Sequence, residues 1–183
     1  MAVAKTVWGY IENRDHRVMR RLNSWKAPRW IRFWMLAATR MGDGWLWYSL
    51  GAILLTFGGA RGYAAVGAAG CAAIFGIFVF KVLKKLSRRE RPCQLQPHCW
   101  ANILPPDQFS FPSGHTMTAF AIALVVSYFY PTLEWPLYFL AVSIALSRVV
   151  LGMHFLSDVL AGAVLGSALG LASIVTFASY GLV

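Results

Sequence analysis

Five apolar stretches, each close to the length that a helix needs to cross a bilayer, constrain this chain more than any other feature. A helix requires about 20 apolar residues to cross the hydrocarbon core, and the candidates are residues 44–60, 62–83, 113–130, 137–151 and 155–180. Because lipid offers no partner to an unpaired backbone group, these segments must be helical. The sequence therefore predicts an all-α fold, a polytopic transmembrane helical bundle of five to six spans, with a tight turn at Arg61-Gly62.

The first forty residues differ from the rest because cations alternate there with large apolar side chains. The apolar residues recur at roughly helical spacing, with arginines in the gaps: Trp8, Ile11, Val18, Met19, Leu22 and Trp25, then Arg14, Arg17, Arg20 and Arg21. This pattern predicts an N-terminal amphipathic helix in the membrane interface, with a soluble helix as the alternative. We therefore divide the chain into an interfacial segment, residues 1–40, and a transmembrane domain, residues 41–183.

The net charge limits the possible partners. Only 13% of the residues are charged and the mean hydropathy is +0.55, whereas a soluble domain is usually about 25% charged. The net charge of +10 is compatible with nucleic acid, anionic lipid headgroups or an anionic substrate. The membrane composition disfavours nucleic acid.

Polar residues are scarce in the apolar part of the chain, and they form three clusters. Lys84 to Pro92 follows the second stretch, Phe111 to His115 precedes the third, and Ser147 to Asp158 joins the fourth and fifth. Counting the crossings places all three clusters at the same membrane face. Because charges at membrane depth are costly and usually functional, we expect one shared site.

Each cluster has its own chemistry. Lys84 and Arg91 suit a phosphate group, although a basic run after an apolar span is also typical of a positive-inside flank. Ser113 predicts a helix N-cap, and Gly114 allows a bound anion to approach the free backbone N–H groups. His115 beside that anion could donate a proton; a simple cap with an uninvolved histidine is the alternative.

The third cluster places two functional groups on one helix face. His154 and Asp158 are four residues apart, so Asp158 could accept a hydrogen bond from one ring nitrogen and leave the other as a nucleophile. Arg148 could neutralise phosphoryl oxygens. The alternatives are a metal site, for which few other carboxylates are available, and a buried ion pair between Arg148 and Asp158.

Together these motifs resemble the three-part signature of the type 2 phosphatidic acid phosphatase (PAP2) superfamily. The matching segments are Lys84-(six residues)-Arg91-Pro92, Pro112-Ser113-Gly114-His115 and Ser147-Arg148-(five residues)-His154-(three residues)-Asp158. They are complete and in order, and the resemblance covers about residues 62–175. Many bacterial members have six spanning helices, whereas this sequence shows five.

The resemblance implies a membrane lipid phosphatase that uses no metal or other cofactor. It implies a nucleophile, its orienting partner and a general acid, which are His154, Asp158 and His115. It implies a phosphate-binding set of Lys84, Arg91, Ser113, Gly114 and Arg148, with Ser147 as a further candidate. Alternatives are a phosphotransferase with the same nucleophile, a haloperoxidase, and a phosphate-binding transporter without turnover. The candidate lipid substrates are undecaprenyl diphosphate or monophosphate, phosphatidylglycerol phosphate, phosphatidic acid and lipid A.

Two further expectations concern the membrane face that holds the site and the contacts between helices. The nine Lys and Arg of residues 1–40 predict a cytoplasmic site by the positive-inside rule, whereas the family resemblance implies a periplasmic one in the bacterial inner membrane. A disulfide between Cys93 and Cys99 would require an oxidising compartment. Gly162, Gly166 and Gly170 share one helix face; we expect intramolecular packing, with a dimer contact as the alternative.

Overall fold

The computed structural model describes residues 2–95 and 107–181, with side chains from residue 9 onward. The α-helices are α1 (Ala2–Ser24), α2 (Arg29–Met41), α3 (Trp45–Phe57), α4 (Gly59–Ser87), α5 (Pro92–Leu95), α6 (Gly114–Phe129), α7 (Glu134–Val150) and α8 (Leu156–Ser179). A 3-10 turn, Pro131–Leu133, joins α6 to α7. Since these described residues contain no strand, the all-α prediction is confirmed.

The predicted apolar stretches correspond to α3, α4, α6, α7 and α8. Within residues 2–95 and 107–181, three segments are long and apolar enough to cross a bilayer: Gly59–Leu95, Pro131–Val150 and Leu156–Ser179. The apolar helices α3 and α6 have 13 and 16 residues, which is about 20 and 24 Å of helix. The protein is therefore an integral membrane helical bundle, and the number of spans stays a prediction.

Helix α6 is the centre of the bundle, because it contacts α4, α7 and α8. Its buried residues are mostly small or β-branched, and they include Ala119, Ala121, Ala123, Val125 and Val126. Small side chains let neighbouring helices approach closely, which is the usual way of packing helices in lipid. The N-terminus of this central helix is consequently surrounded by the ends of its neighbours.

The glycine stripe of α8 faces α6 within the same chain. A Cβ atom on Gly162 would lie 2.7 Å from the Ser113 carbonyl oxygen, and one on Gly166 would overlap the Met117 carbonyl oxygen. Gly170 continues the same face against α6. The intramolecular interpretation of the stripe is therefore confirmed, and it brings the start of α8 against the start of α6.

The turn between α3 and α4 lies earlier than the sequence predicted, so the prediction of a turn at Arg61-Gly62 is wrong. The chain turns at Gly58 and Gly59, and Gly59 has a φ of 58°, which favours glycine. Gly62 lies inside α4, where its N–H donates to the Gly58 carbonyl over 3.0 Å. A Cβ on Gly62 would overlap the Leu54 carbonyl, so this glycine serves helix contact and not the turn.

The N-terminal segment forms two helices, separated near Pro28, that pack on the bundle. Helix α1 contacts α7 and α8, and α2 contacts α7. The buried residues of α1 include Asp15 and Met19, and those of α2 include Thr39. Both helices therefore reach the end of the bundle where the polar clusters meet.

We predict that Gly166→Ala lowers the thermal unfolding temperature of the detergent-solubilised protein. The added methyl would meet backbone of α6, which yields only with helix movement, and overpacking of this kind costs about 1–3 kcal/mol. Gly70→Ala is the matched control, because nothing lies within 4 Å of its Cβ position and alanine is otherwise the better helix former. An unchanged unfolding temperature for Gly166→Ala would contradict the packing described here.

Candidate active site

A cavity of about 850 Å³ opens where the three polar clusters meet. Of the eight predicted site residues, six line it: Lys84, Arg91, Gly114, His115, Arg148 and His154. The other two, Ser113 and Asp158, are buried next to these lining residues. The structure thus brings together the residues that the crossing count had placed at one membrane face.

Helix ends deliver these side chains. Lys84 lies in the last turn of α4, and Arg91 follows in the segment before α5. Gly114 and His115 begin α6, with Ser113 at the predicted N-cap position. Arg148 lies in the last turn of α7, and the connection from α7 to α8 carries His154. A helix end is a suitable place for such groups, because its unpaired backbone polar groups already favour bound charge.

The His154 ring lies between cations on one side and a carboxylate on the other. Its Nε2 atom is 3.2 Å from Arg91 Nη1, and its Nδ1 atom is 3.7 Å from Asp158 Oδ2. The second distance exceeds hydrogen-bonding range, so the predicted hydrogen bond is not formed here. Within the described residues, the buried Nδ1 has no hydrogen-bond partner.

The environment of His154 favours its neutral form. The residue lies in the α7–α8 connection and is only 2% exposed. Burial, followed by the charges of Arg148, Arg91 and Lys84, holds the pKa of His154 well below its usual value. A neutral imidazole keeps a free electron pair, which is what a nucleophile requires.

Asp158 is fully buried and is held by groups that the sequence analysis did not anticipate. Its Oδ2 accepts a hydrogen bond from the Phe155 backbone N–H over 2.8 Å, and its Oδ1 accepts one from Arg89 Nη1 over 2.6 Å. Arg89 also lies over the Phe155 ring, 4.2 Å from its centroid. The carboxylate is therefore held in place by an arginine that lies within the gap of the first motif.

Arg89 extends this network to the N-terminal helix. Its Nη1 donates to Ser157 Oγ and its Nη2 to Asp15 Oδ2, both over 2.7 Å. Asp15 also accepts hydrogen bonds from the Ser157 backbone N–H and hydroxyl. Asp15 is only 4% exposed, so helix α1 contributes a buried charge to the support of Asp158.

Arg148 is anchored by a second N-terminal helix. Its Nη1 donates to Thr39 Oγ1 of α2 over 2.6 Å, while its buried Nε has no partner among the described residues. The alternative ion pair between Arg148 and Asp158 is wrong, because Asp158 pairs with Arg89. Arg148 therefore presents unused donor capacity at the cavity.

A carboxylate lies between the other two cations. Asp107 Oδ2 accepts a hydrogen bond from Lys84 Nζ over 2.6 Å, and Oδ1 accepts one from Arg91 Nη2 over 2.7 Å. Burial by itself would raise the pKa of Asp107, but the hydrogen bonds from Lys84 and Arg91 outweigh it and lower the pKa. Lys84 and Arg91 thus converge on a single anionic group, as the phosphate interpretation requires.

His115 also has a carboxylate partner. Its Nε2 lies 2.9 Å from Asp43 Oδ1, and Asp43 lies in the turn between α2 and α3. Both residues line the cavity. Asp43 was not among the site residues predicted from the sequence.

The hydroxyl groups of both predicted serines, Ser113 and Ser147, form hydrogen bonds within the protein. The Ser113 N–H donates to the Asp158 carbonyl over 3.0 Å, and its hydroxyl accepts from Thr116 Oγ1 over 3.0 Å. The Ser147 hydroxyl donates to the Ile144 carbonyl of its own helix over 2.6 Å. Ser113 therefore ties the start of α6 to the start of α8.

Cys99 lies outside the described residues, and the disulfide with Cys93 stays a prediction.

One of the unanticipated residues did carry a sequence signal. Asp15 falls on the apolar face of α1, at helical spacing from Ile11, Val18, Met19 and Leu22. An acid on an apolar face is usually paired when buried. Its partner, Arg89, is 74 residues away in the chain, so no local pattern identified it.

Comparison with known proteins identifies the protein family to which the sequence is similar. The model of the PAP2 superfamily matches residues 64–180. The chain is 38% identical over 103 residues to a decaprenylphosphoryl-5-phosphoribose phosphatase from Mycobacterium tuberculosis, which covers 56% of this chain and 55% of that protein. It is 28% identical over 178 residues to a lipid A 1-phosphatase from Rhizobium johnstonii, covering 86% and 72%. The chain thus spans about half the length of the mycobacterial relative.

A solved structure extends the similarity beyond the matched residues. The crystal structure of a transmembrane PAP2 type phosphatidylglycerolphosphate phosphatase from Bacillus subtilis superposes with a TM-score of 0.71 at 25% identity. The superposition covers 93% of this chain and 87% of the other. It therefore includes more of this chain than residues 64–180, which the family model matches. The shared fold therefore includes part of the N-terminal segment.

We predict that Asp15→Asn lowers the thermal unfolding temperature and uncouples α1 from the site. Removing one partner of a buried ion pair costs about 3–5 kcal/mol, because it leaves the other charge uncompensated. Glu12→Gln is the matched control, since Glu12 is exposed on the same helix. In a double-mutant cycle, Asp15→Asn and Arg89→Gln should be strongly non-additive; additive effects would contradict the network.

Proposed function

Because the chain belongs to the PAP2 superfamily, we propose that it is a membrane phosphatase that removes phosphate from a lipid through a phosphohistidine on His154. One observation carries this proposal: the two imidazoles and the three cations of the sequence motifs line a single cavity at the helix ends, which Lys81 and Lys85 also line. The two imidazoles are His115 and His154, and the cations are Lys84, Arg91 and Arg148. Phosphoryl transfer needs mainly positioning and charge neutralisation, and this set supplies both.

In the first step, His154 Nε2 attacks the phosphorus atom. The bond from phosphorus to the leaving oxygen breaks, its electron pair goes to that oxygen, and His115 donates a proton to it. Asp158, 3.7 Å from Nδ1, stabilises the positive charge that develops on the ring. The lowered pKa of His154 supports this role, because the free ring is ready to attack.

In the second step, water attacks the phosphorus atom of the phosphohistidine. His115, now neutral, accepts a proton from this water, and the bond from phosphorus to Nε2 breaks. Inorganic phosphate leaves and both histidines return to their starting states. The same intermediate would support transfer to a second lipid, so the product must be identified directly.

Phosphate binding would use all three cations. The Asp107 carboxylate already occupies Lys84 and Arg91, so we infer that an entering phosphate displaces it. Arg148, whose buried Nε has no partner among the described residues, would bind an equatorial oxygen. The Gly114 backbone, at the start of α6, would add a backbone donor.

The substrate class follows from the position and lining of the cavity. Beside the polar groups, the cavity is lined by large apolar side chains, which are Trp47, Tyr48, Ile77 and Phe80. Such a wall suits a lipid whose headgroup enters the polar end. The named relatives act on decaprenylphosphoryl-5-phosphoribose and lipid A, and lipid-linked phosphate is common to both. We propose a phosphomonoester or diphosphate headgroup, in the bacterial inner membrane.

The first experiment measures phosphate release by the purified protein from undecaprenyl diphosphate, phosphatidylglycerol phosphate, phosphatidic acid and lipid A. We expect release from at least one lipid, inhibition by vanadate and no effect of EDTA. His154→Ala and Arg148→Ala should reduce release to background without changing the unfolding temperature greatly. Arg61→Ala, an exposed arginine elsewhere on the protein, is the matched control. Full activity of His154→Ala, or phosphate found only on a second lipid, would overturn hydrolysis through this residue.

We further propose that the site faces the periplasm, as implied by the family. In a cysteine-free background, Ser87→Cys at the cavity end of α4 should react with a membrane-impermeant maleimide in intact cells. Tyr180→Cys, after the opposite end of α8, should react only after permeabilisation if five helices span. The reverse labelling pattern would place the site in the cytoplasm, in agreement with the positive-inside count.

A further inference from the structure

The proton donor of the proposed reaction is held by a residue outside the family match. We propose that Asp43 is a positioning residue for proton transfer by His115, so that the site contains two imidazole–carboxylate pairs. This inference rests on the proposed function, because the proton transfer belongs to that reaction. Asp43 lies outside residues 64–180, in the turn that joins α2 to α3.

The contact is direct and lies at the cavity. Asp43 Oδ1 is 2.9 Å from His115 Nε2, within hydrogen-bonding range. His115 is largely buried, with a side chain 19% exposed, whereas that of Asp43 is 40% exposed. The carboxylate is therefore the more solvent-accessible member of the pair.

The turn that carries Asp43 is shaped for this contact. A Cβ on Gly42 would lie 2.9 Å from His115 Cδ2 and 3.0 Å from Ile144 Cγ2. Gly44 has a φ of 112°, which side chains other than glycine rarely adopt. A side chain at position 42 would press on the His115 ring and one at position 44 would strain the backbone, so the two glycines suit a turn that holds Asp43 against the ring.

The opposing charges explain why a carboxylate is useful here. His115 lies in the field of Arg148 from α7 and Lys84 from α4, and these cations disfavour the imidazolium that must donate the proton. Asp43, in contact with Nε2, supplies negative charge that favours the imidazolium. Arg40 approaches Asp43 only at 3.8 Å with a side chain 73% exposed, so it competes weakly for the carboxylate.

The contact also decides which nitrogen reacts. With Nε2–H donated to Asp43, the second proton of the imidazolium is on Nδ1. During cleavage of the bond between phosphorus and the leaving oxygen, that proton moves from Nδ1 to the oxygen. The neutral ring keeps its hydrogen bond to Asp43 and is oriented to take a proton from water in the next step. His154 is used in the opposite sense, with Nδ1 toward its carboxylate.

Leaving-group dependence tests this role. A general acid matters most when the leaving group is a poor one, and its contribution is about 10²–10⁴-fold. A dialkylglycerol phosphate has an alcohol as its leaving group, which needs a proton from the general acid. Asp43→Asn should therefore reduce kcat for this substrate about 10²-fold. With p-nitrophenyl phosphate, whose leaving group needs no proton, the loss should be about threefold or less. Asp43→Glu should recover part of the lost activity.

The controls separate positioning from a structural role. Glu134→Gln, an acid-to-amide change at an exposed position in the first turn of α7, at the opposite end of that helix from Arg148, should not change either rate. Equal losses of Asp43→Asn with both substrates, or no loss with the alkyl phosphate, would overturn the inference. Asp43→Ser serves as the second variant if Asp43→Asn does not fold.

A second measurement does not depend on turnover. Nitrogen-15 NMR of the histidine-labelled protein, with His115 assigned through His115→Gln, reports which ring nitrogen carries the proton. Asp43→Asn should change the His115 nitrogen shifts and leave those of His16 unchanged. If wild-type protein released no phosphate from any lipid, the proposed function would fail, whereas unchanged His115 shifts in Asp43→Asn would overturn the Asp43 contact itself.

Discussion

Mutual repulsion among three cations in one partly buried cavity is the constraint on which the rest of the structure depends. Lys84, Arg91 and Arg148 come from separate segments, and like charges repel strongly where water is scarce. The protein holds them with local partners: Asp107 accepts from Lys84 and Arg91, and Thr39 accepts from Arg148. In the reaction proposed above, a phosphate that replaces Asp107 would satisfy the same cations.

The helix packing explains how these groups reach one another. The glycine face of α8 brings its backbone against α6, and the Ser113 N–H then donates to the Asp158 carbonyl. The starts of two helices are thereby joined, one carrying His115 and the other Asp158. Lipid gives no strong hydrophobic force between helices, so close backbone contact of this kind replaces the large apolar core of a soluble enzyme.

Much of this arrangement could be predicted from the sequence, and the omissions have one physical cause. The lengths of the apolar stretches predicted the helices, and the number of membrane crossings predicted that Lys84, His115 and His154 lie at one membrane face. Two supporting ion pairs were not predicted, because Asp15 and Arg89 are 74 residues apart and Asp43 and His115 are 72 apart. Such contacts depend on how the helices pack, which hydropathy does not report. The turn at Gly58 was misplaced for the same reason, since Gly62 serves helix contact.

The buried charge of Asp15 has a consequence for how this sequence can vary. Arg89 joins two carboxylates, one on α1 and one beside the proposed nucleophile. In a lineage that lost the first helix, the arginine would keep one carboxylate but expose its other arm, and Asp158 would gain solvent on that side. Positions 15, 89 and 157 should consequently be replaced together during divergence, because their side chains form one hydrogen-bonded set that joins α1 to the start of α8.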